Sequence, residues 1–494
     1  MKHMLAAALL LSLASPAAAE TTLPSPAPLP QIETVYSALD ADFIRWAQQN
    51  HVPGLVWGVV ADGKLVHIKT WGVQDTKGTP VDLDTGFRIA SMSKAFTAHA
   101  ILKLRDEGKL RLDDPVSKYI PEVAGWAGDV TVEDLLHHSA GFVTDDPWGD
   151  RQQPMPEEEF TRLLKAGVPR TALRGTRYEY SNLGYAMLGR VVSNVTGMNF
   201  SRYIAKEVFA PLGMDATSYE NADVPAAHRA IGYRWEDERW KAEPAMAHGA
   251  FGAMGGITTT GVDYAQWIGH LLSAWPGAEG DKAAATIRSM QYGGGLPQLR
   301  VRPGTLRREC GLAAVYGAGL IAAQDCALGQ VLYHGGGFPG YGSHMLIMPD
   351  AGIGVFALTN RTYAGPSGPV WDAATKLAEA GLVKPRPLPV SPALSAAYDH
   401  ARQIWQSGAI TGLPKGALAM NFTMDHDAAH WAQLLGKRKA EAGECDTTPA
   451  PTATGALSGH FSWTCTNGTL GGTLLLAPNF TPSIQSLAFD FQKR

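Results

Sequence analysis

The sequence carries little charge and no long run of one sign. Asp, Glu, Lys and Arg make up 18% of its 494 residues, and the formal net charge is −4. A protein that binds nucleic acid or an anionic membrane through its charge has a basic patch or run, and none is found here. The sequence therefore predicts no nucleic-acid partner and favours a small-molecule or peptide substrate.

Several chemical signatures are absent as well. No G-x-S-x-G occurs, which excludes the nucleophile motif of the α/β-hydrolases. No C-x-x-C or H-E-x-x-H is present, so the sequence predicts neither a metal site nor a cofactor. The adjacent His137 and His138 cannot easily face one metal ion from a regular element, and we interpret them as structural. No segment has eighteen uninterrupted apolar residues, so we expect no stable membrane insertion.

The N-terminus has the pattern of a cleavable signal peptide. In "MKHMLAAALLLSLASPAAAE", Lys2 precedes a short apolar core, and Ala17–Ala19 provides an A-x-A cleavage site. We expect residues 1–19 to be removed after Ala19 and the mature protein to be periplasmic or secreted. Export places the cysteines in an oxidising compartment, where they can pair.

Cysteine is scarce, with four residues in the chain. Cys310 and Cys326 flank one short segment, and Cys445 and Cys465 flank another. Four cysteines allow three connectivities, of which the pairing of sequence neighbours is the simplest. Two local disulfides are therefore predicted, the alternative being free buried thiols.

The chain is long enough for two folded units, and 45% of its residues are hydrophobic. The Pro-rich stretch at 384–392 is the predicted linker between a region at 32–383 and a small α+β domain at 393–494, whose role the sequence leaves open. Strand patterns stand at both ends of the first region, with helices between them. This order predicts an α+β fold in which one antiparallel sheet, covered by helices, lies beside a helical lobe.

The glycine-rich stretch "YHGGGFPGYGSH" contains G-x-G-x-x-G and invites a dinucleotide-binding interpretation. That motif needs a helix at its end, because the helix N-terminus holds the pyrophosphate. The chain continues instead with "SHMLIMPDAGIGVFALTN", two apolar runs joined by a turn, which is a hairpin pattern. The glycines therefore need another explanation.

A nucleophile motif lies after the first predicted hairpin. Ser91 and Lys94 form S-x-x-K at the start of an apolar helix, where positions i and i+3 share a face. Burial and the positive helix end lower the pKa of such a lysine toward that of a usable base. Two fixed residues also recur by chance, and a surface Ser and Lys at a helix start is the alternative.

Two further groups support the catalytic interpretation. Tyr180 and Asn182 stand directly before another apolar helix, where Tyr can relay a proton and Asn can orient both Lys94 and a substrate amide. The alternative is that Ser181 or Asn182 only caps that helix. His334 and Gly336 lie in the glycine-rich stretch on a predicted strand.

In this order, S-x-x-K, Y-x-N and H-x-G resemble the three motifs of the serine β-lactamase and penicillin-binding-protein superfamily. The branch is that of class C β-lactamases, D,D-carboxypeptidases, D-aminopeptidases and family VIII esterases. The stretches "VEDLLHHSAGF" and "GGITTTGVDYAQWIGHLL" are similar to segments of that family. The resemblance covers about 32–383, implies a β-lactamase/transpeptidase-like fold, and leaves the C-terminal domain unexplained.

The resemblance also implies roles. Ser91 attacks a carbonyl carbon, and Lys94 and Tyr180 handle the protons of an acyl-enzyme reaction. Asn182, His334 and Gly336 bind and orient the substrate, and the backbone N–H groups of Ser91 and Gly337 form the oxyanion hole. The glycines then let a strand approach the substrate closely, which accounts for the glycine-rich stretch without a nucleotide.

One departure concerns substrate. β-Lactamases of this type usually have Lys where this chain has His334, and an imidazole is mostly neutral at pH 7. We therefore expect an exported serine hydrolase for D-amino-acid peptides, amides or esters. The alternatives are a β-lactamase, an acyltransferase or a non-catalytic binder of cell-wall peptides.

The loop "VTDDPWGDRQQPMPEEEF" is rich in acids, with Asp145, Asp146, Asp150 and 157–159. A run of this kind is more often solvated. If it edges the cleft, it favours a substrate with a free amine.

Overall fold

The computed structural model describes residues 32–146, 148–277, 280–295, 297–384 and 386–493. The predicted signal peptide at 1–19 lies outside the described residues, and so does Pro385 of the predicted linker. Over the described ranges, no helix has both the length and the apolar character needed to cross a bilayer.

The main sheet is built from both ends of the first region, as predicted. Its strands are β1 Gly54–Ala61, β2 Lys64–Gly72, β7 Gln298–Arg300, β8 Leu312–Tyr316, β9 Ile321–Asp325, β10 Gly329–Phe338, β11 Tyr341–Met348 and β12 Ile353–Thr359. The strand order is β2-β1-β12-β11-β10-β9-β8-β7, and every neighbouring pair is antiparallel. Strand β1 of the first hairpin thus pairs with β12 near the other end of the region, with Leu55 opposite Thr359.

Burial explains the order of the strands. The central strands β1, β11 and β12 are buried along almost their whole length, as their runs of Val, Ile, Leu and Phe require. Strand β2 lies at the edge and is only partly buried. Two small antiparallel pairs, β3 Phe87–Arg88 with β6 Thr258–Thr259 and β4 Tyr233–Glu236 with β5 Arg239–Ala242, lie outside the main sheet.

Helices cover the sheet and form the lobe beside it. In the first region they are α1 Ile32–Gln49, α2 Ser93–Asp106, α3 Ala124–Ala127, α4 Val132–Leu136, α5 Glu157–Ala166, α6 Asn182–Thr196, α7 Phe200–Ile204, α8 Gly252–Gly255, α9 Gly261–Leu272, α10 Lys282–Ser289 and α11 Ser367–Glu379. The predicted α2 is buried on nearly every side, which small residues such as Ala95 and Ala98 permit.

The C-terminal domain is α+β, as predicted. It contains α12 Pro392–Ser407, α13 Met420–Asp425, α14 Ala428–Ala442, β13 Cys445–Asp446, β14 Thr452–Gly455, β15 Ser458–Cys465, β16 Gly468–Leu476 and β17 Ile484–Lys493. Its hydrophobic cluster extends from Leu394 to Phe489, separate from the cluster of the first region. The predicted disulfides Cys310–Cys326 and Cys445–Cys465 are both formed.

Candidate active site

Ser91 lies in a tight turn at the entrance to α2. The turn is a short 3-10 segment, Ala90–Met92, that leads directly into the helix. Ala90 has φ +50°, a left-handed conformation that costs energy for a residue with a Cβ. The turn places Ser91 on the wall of a cleft of about 570 Å³. No sequence pattern indicated the strained Ala90.

The three predicted catalytic side chains meet at the Ser91 hydroxyl. Lys94 Nζ donates a hydrogen bond to Ser91 Oγ at 3.1 Å, and the Tyr180 hydroxyl lies 2.8 Å from the same oxygen. Lys94 Nζ also lies 4.8 Å from the centre of the Tyr180 ring. Lys94 and Tyr180 come from different parts of the chain, and the fold brings both to one oxygen atom.

Lys94 is fully buried, yet every proton of its ammonium has an acceptor. Nζ donates to Asn182 Oδ1 at 2.6 Å and to the backbone oxygen of Met254 at 2.8 Å, in addition to Ser91. Burial lowers the pKa of Lys94 to about 8, and the charges of the nearby acids, Asp146 foremost, limit that shift. A neutral amine is therefore accessible near neutral pH. The role of Met254 had no signal in the sequence, because a backbone oxygen does not depend on residue type.

Tyr180 remains a phenol. Burial, reinforced by the negative charge of Asp146, holds its pKa well above the ordinary value. Lys94 is then the better proton acceptor of the two groups in contact with Ser91, and Tyr180 the better proton donor.

The segment around Tyr180 is fixed by helix capping and by His138. Ser181 Oγ accepts a hydrogen bond from Gly184 N at 3.1 Å at the start of α6, so the capping alternative holds for Ser181. His138 Nδ1 accepts from Ser181 N at 3.0 Å. Burial keeps the pKa of His138 well below its ordinary value, so the ring is neutral and keeps this lone pair. His138 is thus structural, and it positions the Tyr-Ser-Asn segment.

His334 is held as a neutral imidazole. Its Nδ1 lies 2.6 Å from the backbone oxygen of Gly335, and its Nε2 lies 3.0 Å from the hydroxyl of Tyr316. A carbonyl oxygen only accepts, so Nδ1 carries the proton and Nε2 accepts from Tyr316. Burial lowers the pKa of His334 to about 3. The cleft therefore has no ammonium at the position where the related β-lactamases have Lys, and Tyr316, which the sequence did not single out, fixes the ring.

Strand β10 has no room for a side chain at Gly336. A Cβ at this position would lie 2.2 Å from both the Ile89 backbone oxygen and Ser343 Oγ. Strand β10 therefore packs against the turn that carries Ser91, and Gly337, one residue on, lines the same cleft as Ser91. This close approach brings the two predicted oxyanion donors to one cavity.

The acidic loop edges the cleft in part. Asp146 and Asp150 line it, and Asp146 Oδ1 accepts a hydrogen bond from Asn182 Nδ2. Asp145 instead caps α6, accepting from the backbone N–H groups of Asn182 at 2.7 Å and Leu183 at 2.8 Å. Glu157–Glu159 lie in the exposed first turn of α5. The solvated-loop interpretation holds for Glu157–Glu159, whereas Asp146 is exposed but lines the cleft.

The fold is that of a β-lactamase-like protein, and its cleft contains a Lys and a Tyr whose polar atoms meet at one serine hydroxyl. A family model described as Beta-lactamase matches residues 34–380, and the chain belongs to that family. This match confirms the prediction from the sequence that the chain belongs to the serine β-lactamase and penicillin-binding-protein superfamily.

Two curated relatives are similar to parts of this chain. Protein flp of Staphylococcus aureus is 35% identical over 193 residues, which are 38% of this chain and 39% of flp. The chain thus spans about two fifths of the length of that relative. Unguisins hydrolase ungD' of Aspergillus campestris is 26% identical over 350 residues, 66% of this chain and 62% of its own.

Solved structures share the fold. D-alanine carboxypeptidase AmpC from Burkholderia cenocepacia is 22% identical, with a TM-score of 0.56 over 71% of this chain and 99% of its own. An octameric penicillin-binding protein homologue from Pyrococcus abyssi is 21% identical, with a TM-score of 0.60 over 93% of this chain and 96% of its own. The second match extends over most of the chain.

Proposed function

We propose that the protein is an exported serine hydrolase that acts through an acyl-enzyme on D-amino-acid peptides, amides or esters. The observation that carries the proposal is the convergence of Lys94 Nζ and the Tyr180 hydroxyl on Ser91 Oγ. Family membership, a carboxypeptidase among the structural neighbours and a hydrolase among the relatives support hydrolysis. The two disulfides fit an exported protein.

In the acylation step, Ser91 Oγ attacks the substrate carbonyl carbon and its proton passes to neutral Lys94. The carbonyl oxygen becomes an oxyanion, held by the backbone N–H groups of Ser91 and Gly337. When the C–O or C–N bond breaks, Tyr180 donates its proton to the leaving alcohol or amine and recovers one from Lys94. The step ends with an ester on Ser91 and with Lys94 neutral again.

Deacylation repeats these transfers with water as the nucleophile. Neutral Lys94 accepts a proton from water as the water oxygen attacks the acyl carbon, and that proton passes to Ser91 Oγ as the ester bond breaks. Asn182 orients Lys94 through its Oδ1 atom at 2.6 Å throughout. We place the C-terminal domain outside this chemistry, because every residue with a proposed role precedes residue 384.

A fluorophosphonate probe tests the nucleophile. We expect covalent labelling of Ser91, identified by peptide mass spectrometry, and loss of labelling and turnover in Ser91→Ala. Ser273→Ala, which removes an exposed serine hydroxyl, is the matched control and should label as the unmodified protein does. Labelling of another residue in Ser91→Ala, with activity retained, refutes the assignment.

β-Lactamase activity is the second candidate, because the family includes such enzymes and Ser91, Lys94, Tyr180 and Asn182 suit that reaction too. The neutral His334 weighs against it. A β-lactam carries a carboxylate, and a buried imidazole with a pKa of about 3 offers that carboxylate no positive charge.

A further inference from the structure

Asp150 is a buried carboxylate with no cationic partner among the described residues. It lies in a short turn, Gly149–Gln152, is 4% exposed, and lines the cleft that contains Ser91. Its Oδ2 accepts a hydrogen bond from the Tyr363 hydroxyl at 3.0 Å. Over the ranges that the structure describes, Oδ1 has no hydrogen-bond donor, and no Lys or Arg lies within 4 Å of the carboxylate.

This arrangement is costly at two points. A carboxylate removed from water without a cation loses hydration that a single phenol does not replace. Tyr363 has φ +53°, an unusual conformation for an aromatic residue. Its ring packs against Gly337, where an added Cβ would lie 2.8 Å from Tyr363 Cδ1. Residues 213 positions apart are thus held together across the cleft, beside a predicted oxyanion donor.

An effect of Asp150 on the pKa of Lys94 does not explain why Asp150 Oδ1 has no hydrogen-bond donor. The three acceptors of Lys94 Nζ are Ser91 Oγ, Asn182 Oδ1 and the Met254 backbone oxygen, and none is a carboxylate. Asp146 is linked to Lys94 more directly, through the Asn182 amide. A charge that only raised the pKa of Lys94 would need no unpaired oxygen in a substrate cleft.

We propose that Asp150 binds the free ammonium group of the substrate, on the carbon next to the scissile carbonyl. The substrate class is then amino-acid amides, esters or peptides with an unblocked amine. Tyr363 connects Asp150 to Gly337, the proposed oxyanion donor, so Asp150 lies near the carbonyl group of a bound substrate. An ammonium on the neighbouring α-carbon is the positive group of an amino-acid substrate that lies closest to that carbonyl. This inference rests on the proposed function and specifies its substrate.

A pair of substrates that differ in this one group provides the test. D-alanine p-nitroanilide and isobutyryl p-nitroanilide have the same shape, with the ammonium of the first replaced by methyl in the second. We expect Asp150→Asn to lower kcat/KM for the alanine compound by about ten- to a hundredfold, the range for a hydrogen bond to a charged group. For the isobutyryl compound we expect the same variant to change kcat/KM by less than about threefold.

The matched control is Glu158→Gln, the same change of charge at an exposed residue of the same segment. This variant should change kcat/KM by less than about twofold for both substrates. A second measurement needs no variant: D-alaninamide should inhibit the unmodified enzyme at a concentration at least about tenfold lower than isobutyramide does. This comparison keeps the proposal testable even if Asp150→Asn does not fold.

The results separate the two proposals. If Ser91 is labelled by fluorophosphonate but Asp150→Asn affects both anilides equally, the ammonium site is wrong and the hydrolase stands. Equal inhibition by the two amides, with Ser91 labelled, also overturns the ammonium site. If Ser91 is not labelled and neither anilide is cleaved, the proposed function fails first, and the substrate inference fails with it.

Discussion

The pKa of Lys94 leads to a specific pH dependence of acylation. Burial lowers this pKa from 10.5 to about 8, and only the neutral amine accepts the Ser91 proton. The neutral fraction is about 9% at pH 7 and about 91% at pH 9, given that pKa. The second-order rate constant for fluorophosphonate labelling should therefore rise about tenfold from pH 7 to pH 9, with half of the rise reached near pH 8.

Removal of the Asp146 charge should move that profile to lower pH. Asp146 raises the pKa of Lys94, so Asp146→Asn lowers it. Lys94 Nζ and the Asp146 carboxylate lie roughly 6 Å apart, on either side of the Asn182 amide, and Asp146 is exposed, so we use the dielectric constant of water. The attraction between the two charges is then worth about 0.7 kcal/mol. That corresponds to about half a pKa unit, and to labelling about two- to threefold faster at pH 7.

The assay is labelling followed by in-gel fluorescence over pH 6–10, with the unmodified protein, Asp146→Asn and Glu158→Gln. The glutamine variant carries the same charge change at an exposed position and should reproduce the unmodified profile. A rate constant that is flat or falls from pH 7 to pH 9 contradicts the assignment of Lys94 as the base. A shift of the Asp146→Asn profile to higher pH contradicts the electrostatic argument.

Two further predictions concern β10. Gly336→Ala should abolish labelling, because the alanine Cβ would lie 2.2 Å from the Ile89 backbone oxygen. The same clash should lower the free energy of unfolding by about 1–3 kcal/mol, which a denaturant titration measures. A chromogenic cephalosporin should have a kcat/KM about ten- to a hundredfold below that of the best amino-acid ester or amide, because neutral His334 provides no charge-assisted hydrogen bond to its carboxylate. His334→Lys should narrow that difference, whereas a cephalosporin that exceeds every ester and amide supports a β-lactamase.

Much of the fold was predictable because the relevant signals are local. The hairpin at Gly54–Gly72 follows from two β-rich runs around a turn, and α2 and α6 follow from apolar periodicity after polar residues. The order of the three motifs was sufficient to predict that Ser91, Lys94 and Tyr180 lie in one site. The domain boundary at 384–392 and the catalytic roles remain predictions, and labelling and turnover of the Ser91 variant test the latter.

By itself, the sequence pointed to the family, to an antiparallel sheet covered by helices and to the residues that meet at Ser91, and it made local pairing of the cysteines the simplest of three connectivities. Only the tertiary structure decided that Asp150 is buried in the cleft and bonded to Tyr363, that Tyr316 fixes the proton of His334, and that the Met254 backbone oxygen accepts from Lys94. The physical reason is that periodicity, capping and turns act over a few residues and leave a pattern in the chain. Burial and the partner of a side chain instead depend on which distant segments pack together, and these contacts join positions 18 to 213 residues apart.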